Sequence, residues 1–210
     1  PGASEPCTAF SVMLVGNSAR MVPGAALALV DNREVKVLSM GATEREGGRL
    51  VSEKTVFDVA SLSKPVVAYI ALQLADSGAL GLDTPLSKIV QKGVPPQLAC
   101  EPITARHVLT HTSGLPNLRG DRPLKVHFPP GSRFSYSSVG FAYLQLALET
   151  AAAAPLEAIA KRLVFDALDM PSSSFEWQPR LGDDAAFPHE GERRLDKHRP
   201  AAARAAYSLQ

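Results

Sequence analysis

Hydrophobic and polar positions in the first part of the chain follow the pattern of a two-stranded antiparallel sheet. An apolar run extends from Ala25 to Val30, and apolar and polar residues alternate from Glu34 to Met40. The polar triplet Asp31-Asn32-Arg33 joins the two runs, so this stretch predicts a β-hairpin. Farther upstream, the short apolar run Thr8–Val15 fits a helix or a strand equally well by its length.

From residue 61 the spacing of apolar positions becomes helical. The first predicted helix begins at Ser61 and ends near Gly78, a residue type that commonly stops helices. Because apolar residues cover most faces of this helix, we expect it to run through the interior. These apolar positions are Val66, Val67, Ile70, Ala71 and Leu74.

The remaining pattern predicts further helices and then a polar tail. Thr104–Thr110 predicts a short helix, and the aromatic and apolar residues between Phe134 and Leu148 predict a buried loop and helix. Pro155 fits the first position of another helix that extends to about Phe165. The stretch Gln178–Arg199 is rich in charge and proline and predicts a surface loop.

Composition limits the classes of function. The 210 residues are 45% apolar and 20% charged, enough to bury a core in one large or two small domains. A net charge of +1 gives no electrostatic footprint for nucleic acid or an anionic membrane, so a small neutral substrate fits better. Since no apolar stretch approaches the roughly 18 to 20 residues needed to cross a bilayer, no transmembrane segment is predicted.

Cysteine and histidine spacing argues against a metal site. Cys7 and Cys100 lack paired spacing, which argues against a zinc knuckle or redox motif and leaves a single long-loop disulfide open. His107 and His111 are four apart, but the glutamate of His-Glu-x-x-His is absent and no third ligand is evident. We predict no metal and no cofactor.

Ser61-Leu62-Ser63-Lys64 places a hydroxyl and an ammonium three residues apart, on one face of the first helical turn. Burial of Lys64 beside Ser61 would favour the neutral amine, which could then accept the serine proton during attack on a carbonyl. The N-terminal N–H groups of the helix stabilise negative charge, so the backbone N–H of Ser61 is a natural half of an oxyanion hole.

Ser-x-x-Lys alone is a weak pattern, and its context makes it specific. The motif is accompanied, in this order, by Phe57-x-x-Ala60, Leu82–Pro85, Leu109–Leu115, Pro130-Gly131 and Phe134–Ser138. This order resembles the serine β-lactamase-related family, which includes class C β-lactamases, D,D-peptidases and carboxylesterases. The resemblance extends from about Val22 to about Trp177.

The resemblance implies an α+β fold of the β-lactamase/transpeptidase-like type, with an antiparallel sheet flanked by helices and an all-helical region. Region 1–60 would hold an N-terminal helix and sheet strands, 61–177 the nucleophile helix and helical region, and 178–210 a charged loop. Ser61 would be the nucleophile, with Lys64 and Tyr136 as its catalytic partners. Ser138, which stands where the family's Tyr-x-Asn motif has asparagine, would contact substrate, although one hydroxyl cannot reproduce an amide.

The family's third motif, Lys-Thr-Gly or His-x-Gly on a sheet strand, has no convincing copy. His189-Glu190-Gly191 matches literally but lies among charged residues, which predicts a loop. Family members also continue into further sheet strands, which supply the second oxyanion donor. We therefore expect a C-terminal segment or a second chain to complete the sheet and cover its free edge.

The sequence thus predicts a serine hydrolase that acts on the amide, β-lactam or ester carbonyl of a small acyl substrate through an acyl-enzyme. A carboxylesterase is the alternative within that class, because position 138 lacks the amide. A catalytically silent binding or regulatory module on the same scaffold is the alternative outside it. The family implies a periplasmic or secreted location, and the residues themselves leave the compartment open.

Overall fold

The chain divides into two compact units. The hairpin unit comprises Pro1–Asp58 and Gln178–His198, and the helical unit comprises Val59–Trp177 and Arg199–Gln210. The computed structural model describes residues 22–90, 92–118, 123–182 and 184–196.

Two predictions concern residues outside this range. The apolar run Thr8–Val15, where the expected N-terminal helix would lie, is outside the described residues, and so is Cys7. Cys100 is described and exposed. The disulfide between the two cysteines therefore stays an open alternative.

Strands β1 (Gly24–Asp31) and β2 (Glu34–Gly41) confirm the predicted β-hairpin. Asp31 pairs with Glu34, so only Asn32 and Arg33 form the loop, with φ values of 47° and 72°. Two consecutive positive φ values are typical of a type I′ turn, whose twist matches that of the flanking strands.

The hairpin leaves large apolar side chains in contact with solvent. Leu29, Val30 and Val35 have exposed fractions of 42%, 67% and 63%. An antiparallel sheet usually packs one face on a core, and here no residue of either strand is fully buried, although Leu27, Val37 and Leu38 are half-buried. The buried apolar residues in the described part of the hairpin unit are Val51, Leu181 and Ala185.

The segment after residue 178 is more regular than the predicted loop. Strands β3 (His189–Glu190) and β4 (Arg193–Arg194) form a second, very short hairpin around Gly191. The loop prediction is wrong here, because Arg193 pairs with Glu190, Arg194 pairs with Glu44, and Gly191 closes the turn at a φ of 61°. The literal His-x-Gly match thus lies in a two-residue strand and its turn.

Helices make up the described part of the helical unit. They are α1 (Ser63–Asp76), α2 (Leu86–Ile89), α3 (Ala105–Leu109), α4 (Ser138–Ala152) and α5 (Leu156–Ala160). A 3₁₀ turn, Ala60–Leu62, precedes α1, and a π-helical turn, Lys161–Phe165, extends α5. The helices predicted from Thr104 and from Pro155 are both confirmed.

The core of the helical unit is formed mainly by α1, α4 and α5. Its fully buried side chains include Val67, Ile70, Leu144, Leu148, Leu156 and Ile159. The prediction that α1 is buried on most faces is wrong for one stripe, where Tyr69 and Leu72 are 44% and 51% exposed, and Leu62 in the preceding 3₁₀ turn is 71% exposed. Their spacing places them on the side of the helix that points away from this core.

Helix α3 is fixed at its start by a cap and by an ion pair. The Thr104 hydroxyl accepts the His107 N–H at 3.2 Å, and His107 Nδ1 accepts the Thr104 N–H at 3.3 Å, a reciprocal capping box. Arg106 donates both its hydrogen bonds to Asp83, at 2.7 and 2.8 Å. The Leu82–Pro85 motif therefore anchors the helix that leads into the segment 109–115.

Candidate active site

Ser61 lies in the 3₁₀ turn that leads directly into α1. The preceding residue, Ala60, has a φ of 42°, a left-handed backbone conformation that residues other than glycine rarely adopt. Ser61 is exposed, whereas Lys64 is only 5% exposed. Lys64 Nζ donates a hydrogen bond to Ser61 Oγ at 3.0 Å. The structure thus brings together the hydroxyl and the ammonium of the Ser-x-x-Lys motif.

Aromatic rings surround the Lys64 ammonium. Its Nζ lies 5.0 Å from the ring centroid of Tyr136 and 5.6 Å from that of Phe141. Ring faces attract a cation, most strongly where water is partly excluded, so these contacts help to hold the ammonium beside Ser61.

The hydroxyl of Tyr136 faces the Lys64 ammonium and the Ser61 hydroxyl. Burial raises its pKa, but the hydrogen-bonding side chains of Lys64 and Ser61, the positive charge of Lys64 and the side chain of Ser138 together lower that pKa below its ordinary value of 10.0. We expected the aromatic segment before α4 to be buried, and this is wrong for Phe134 and Tyr136, which are 69% and 38% exposed. Both precede the helix at the open side of the site, where Tyr136 can reach polar partners.

His111 supports Tyr136 from behind. Its ring stacks on the Tyr136 ring at a centroid distance of 4.3 Å, its carbonyl accepts the Ser135 N–H at 2.7 Å, and its Nδ1 accepts the Ser137 N–H at 3.1 Å. Burial, followed by the positive charge of Lys64, lowers the pKa of His111 below 6.5. A neutral ring with an unprotonated Nδ1 is the form that this hydrogen bond requires.

Ser137 ties the start of α4 to the segment 113–117. Its hydroxyl accepts the Gly140 N–H at 2.8 Å as the helix N-cap, and donates to the Pro116 carbonyl at 2.9 Å. The two segments approach closely because position 140 has no side chain: a Cβ there would lie 3.1 Å from Ser137 Oγ and 3.2 Å from Ser113 Oγ. Tyr136 is therefore held between two connected pieces of chain.

Ser138 is the first residue of α4 and is 4% exposed. Its hydroxyl donates to Asn117 Oδ1 at 2.9 Å, and its backbone N–H donates to the same oxygen at 3.3 Å. Ser138, which we predicted to contact substrate, thus lies close to Tyr136 and binds Asn117, a loop residue 21 positions earlier.

Sequence reasoning identified Ser61, Lys64, Tyr136 and Ser138, and the structure places all four at one site. It missed the contact of His111 with Tyr136 and the contact of Asn117 with Ser138. Both missed residues belong to the His-Thr-Ser-Gly-Leu-Pro-Asn stretch, whose place beside the site was the available signal.

Within the described ranges, no three His, Cys, Asp or Glu side chains are arranged to hold a metal ion. Nδ1 of His107 and Nδ1 of His111 each accept a backbone N–H. In the same part of the chain, no single helix is long and apolar enough to cross a membrane, although Ser138–Ala152 and Leu156–Phe165 pass that test together as a pair bent by 71°.

Comparison with known proteins agrees with this geometry. A family model described as Beta-lactamase matches residues 14–208. The chain is 31% identical to Esterase EstB of Burkholderia gladioli, over 82% of this chain and 55% of that protein. It is 29% identical to Penicillin-binding protein 4 of Amycolatopsis lactamdurans, over 81% of this chain and 49% of that protein. The chain therefore spans about half the length of these curated relatives.

Solved structures show the same fold. A beta-lactamase/D-alanine carboxypeptidase from Yersinia pestis, complexed with citrate, superposes with a TM-score of 0.77 at 23% identity, covering 98% of this chain and 64% of that one. A class C beta-lactamase superposes with a TM-score of 0.81 at 20% identity, covering 95% and 58%. The predicted fold class and family resemblance are confirmed: the chain belongs to the beta-lactamase family of serine hydrolases and covers part of its β-lactamase/transpeptidase-like fold.

Proposed function

We propose that this chain carries the acyl-transfer centre of a serine hydrolase that cleaves the ester, amide or β-lactam carbonyl of a small substrate through an acyl-enzyme. The observation that carries the proposal is the 3.0 Å hydrogen bond from the buried Lys64 ammonium to the exposed Ser61 hydroxyl. An activated nucleophile needs a neighbouring group that manages its proton, and this pair lies at the start of a helix, where negative charge is stabilised.

The proton path follows from the contacts of Tyr136. The Ser61 hydroxyl transfers its proton to the Tyr136 phenolate as Oγ bonds to the carbonyl carbon, and Tyr136 then protonates the leaving group as the tetrahedral intermediate collapses. Water then attacks the acyl-enzyme and gives its proton to Tyr136, which returns a proton to Ser61 as the acid is released. Lys64 holds the Ser61 oxygen by its hydrogen bond, and its positive charge lowers the pKa of Tyr136. The backbone N–H of Ser61 donates to the developing oxyanion.

An ester is the substrate that we favour within this class. Ser138 has one hydroxyl where recognition of an amide would use a separate donor and acceptor, and the relative with 31% identity is an esterase by name. As expected for the family, we also propose that the protein works outside the cytoplasm.

Intact-protein mass spectrometry after exposure to a fluorophosphonate tests the proposal. We expect one covalent adduct, lost in Ser61→Ala and retained in the matched variant Ser63→Ala, because the Ser63 hydroxyl donates to the Ala60 carbonyl at 2.7 Å and has no part in the mechanism. An adduct retained in Ser61→Ala, or none in the unaltered chain, would contradict the proposal.

Substrate pairs then separate the alternatives. Steady hydrolysis of p-nitrophenyl acetate with little turnover of a penicillin would support the esterase, and the reverse preference would support a lactamase. Stoichiometric acylation without turnover would instead support the silent binding module.

A further inference from the structure

His111 holds the chain on both sides of Tyr136. Its backbone carbonyl accepts the Ser135 N–H at 2.7 Å, and its Nδ1 accepts the Ser137 N–H at 3.1 Å. Between these two hydrogen bonds, its ring stacks on the Tyr136 ring at a centroid distance of 4.3 Å and an interplanar angle of 29°. The backbone and side chain of one residue thus fix the phenol and both of its neighbours in the chain.

The His111 ring is itself confined. It is half-buried, and its centroid lies 5.3 Å from that of Phe141 in α4 and 5.8 Å from that of Phe134. Its backbone has a φ of 55°, a left-handed conformation in which histidine is enriched over most residues other than glycine. Three aromatic contacts and a constrained backbone leave the ring little freedom to turn away from the Ser137 N–H.

The hydrogen bond to Ser137 exists in only one protonation state of His111. A backbone N–H can only donate, so Nδ1 must be unprotonated, and the proton of the neutral ring lies on Nε2. In the imidazolium, Nδ1 also carries a proton, and two donors face each other across the 3.1 Å between Nδ1 and the Ser137 nitrogen. Protonation therefore replaces an attraction by a repulsion at the residue next to Tyr136.

The groups that face the His111 ring favour its neutral form. Lys64 faces it from α1 and Tyr136 from the segment before α4, while α4 contributes the uncharged Phe141. Burial, followed by the positive charge of Lys64, lowers the pKa of His111 below 6.5. Within the described ranges, no acidic side chain opposes this shift of the pKa.

The charged residues of α3, the helix that precedes His111, have partners elsewhere. Arg106 donates to the Asp83 carboxylate at 2.7 and 2.8 Å. His107 uses its Nδ1 to accept the Thr104 N–H at 3.3 Å. Lys64 and Tyr136 are therefore the titratable groups against which the charge of His111 is set.

We propose that His111 is a positioning residue that confines acyl transfer to the pH range in which its ring is neutral. The neutral ring holds the Tyr136 hydroxyl where it takes the proton of Ser61. The imidazolium pushes the Ser137 N–H away and moves the phenol, and a displacement of about 1 Å at a catalytic group costs up to about a hundredfold in rate. The inference rests on the proposed acyl-transfer function and adds a pH-dependent control of the same site.

The rate at which a fluorophosphonate modifies Ser61 tests this role without requiring turnover. In this reaction Ser61 Oγ bonds to phosphorus, fluoride leaves, and the serine proton passes to Tyr136. We would follow the adduct of the full chain by intact-protein mass spectrometry from about pH 5 to 8, with circular dichroism confirming at each pH that the chain is folded.

The matched variant is His111→Asn. Asparagine tolerates the left-handed φ, and its Oδ1 accepts the Ser137 N–H in place of Nδ1 at every pH, because it does not titrate. The ratio of the modification rate of the unaltered chain to that of His111→Asn cancels the titration of Tyr136, which both proteins share.

We expect this ratio to be constant above pH 6.5 and to fall as the pH drops through the pKa of His111, by up to about tenfold per pH unit, because one proton is bound. His107→Asn changes the other histidine whose Nδ1 accepts a backbone N–H, and it keeps the fall. His111→Ala has no acceptor for the Ser137 N–H, and it reacts about tenfold more slowly at pH 7.5 than His111→Asn.

The outcomes separate the two proposals. A Ser61 adduct whose rate ratio stays constant down to pH 5, or a fall that disappears in His107→Asn, overturns the role of His111 and leaves the nucleophile intact. A ratio that rises on acidification also overturns that role, since the imidazolium would then stabilise the Tyr136 phenolate. Absence of the adduct in the unaltered chain at every pH overturns both proposals.

A second measurement decides if His111→Asn does not fold. An NMR titration of the His111 ring in the unaltered chain gives its pKa directly, and the acid fall in the modification rate must have the same midpoint. A different midpoint would overturn the role of His111.

Discussion

The helical unit and the hairpin unit differ in how far they bury their apolar side chains. Residues such as Leu144, Leu148 and Ile70 are fully enclosed within the helical unit, whereas Val30 and Val35 in the hairpin unit are more than half exposed. Each buried aliphatic side chain contributes roughly 1.5 to 3 kcal/mol relative to an exposed one. The helical unit, which holds every residue of the candidate site, therefore has its own source of rigidity, while the described hairpin depends mainly on strand pairing.

The largest expected effect tests this contrast directly. Leu144→Ala leaves a cavity in the core and lowers the free energy of unfolding by about 2 to 5 kcal/mol. Val35→Ala, at a position that is 63% exposed, changes it by less than about 0.5 kcal/mol. Urea unfolding followed by circular dichroism at 222 nm measures both. Similar losses in the two variants would mean that Val35 is covered in solution.

The next largest expected effect is a pH dependence of stability that arises in the helical unit. The pKa of His111 is below 6.5 in the folded chain, so the unfolded chain binds a proton first as the pH falls. His111 contributes fully to stability above pH 6.5. This contribution is lost as the pH falls from 6.5 to the folded pKa of His111, by at most about 1.4 kcal/mol per pH unit.

His111→Asn provides the control for that effect. Asparagine tolerates the φ of 55° at this position and does not titrate. Urea midpoints at pH 7.5 and 5.5 should therefore differ less in the variant than in the unaltered chain. An identical pH dependence in both would show that other groups are responsible.

A smaller effect is expected in the hairpin unit. Arg33 has a φ of 72° in the type I′ turn, which costs an L-residue about 1 kcal/mol relative to glycine. Arg33→Gly should slow amide hydrogen exchange in β1 and β2 about fivefold. Arg33→Ala keeps the Cβ and its strain, so equal protection in both variants would contradict this explanation.

The smallest signal is optical and compares the site with the core of the same unit. The chain has 4 tyrosines, of which Tyr136 has a lowered pKa and Tyr143 a pKa raised by burial. Absorbance at 295 nm should show a phenolate that forms below pH 10 and disappears in Tyr136→Phe. In Lys64→Met that phase should move to higher pH, and an unchanged phase would mean that the ammonium does not stabilise the phenolate.

Sequence patterns predicted local structure well and contacts between distant segments poorly. The hairpin, the α3 and α5 helices and the Ser61–Lys64 pair depend on neighbouring residues, whose periodicity and spacing are visible in the sequence. The contact of Asn117 with Ser138 depends on how a loop closes 21 positions away, for which the sequence contains no local signal. The exposed stripe of α1 was missed because apolar composition does not reveal which face of a helix finds a partner.

Tolerance to mutation follows from which atoms hold the frame around Tyr136. The Ser135 N–H bonds to the His111 carbonyl, and the Gly131 N–H bonds to the Thr112 carbonyl. Carbonyl and amide groups are present whatever the side chain, so the side chains of Thr112 and Ser135 can change without removing these two bonds. A lineage that carries this frame can therefore accumulate substitutions at those two positions without moving Tyr136.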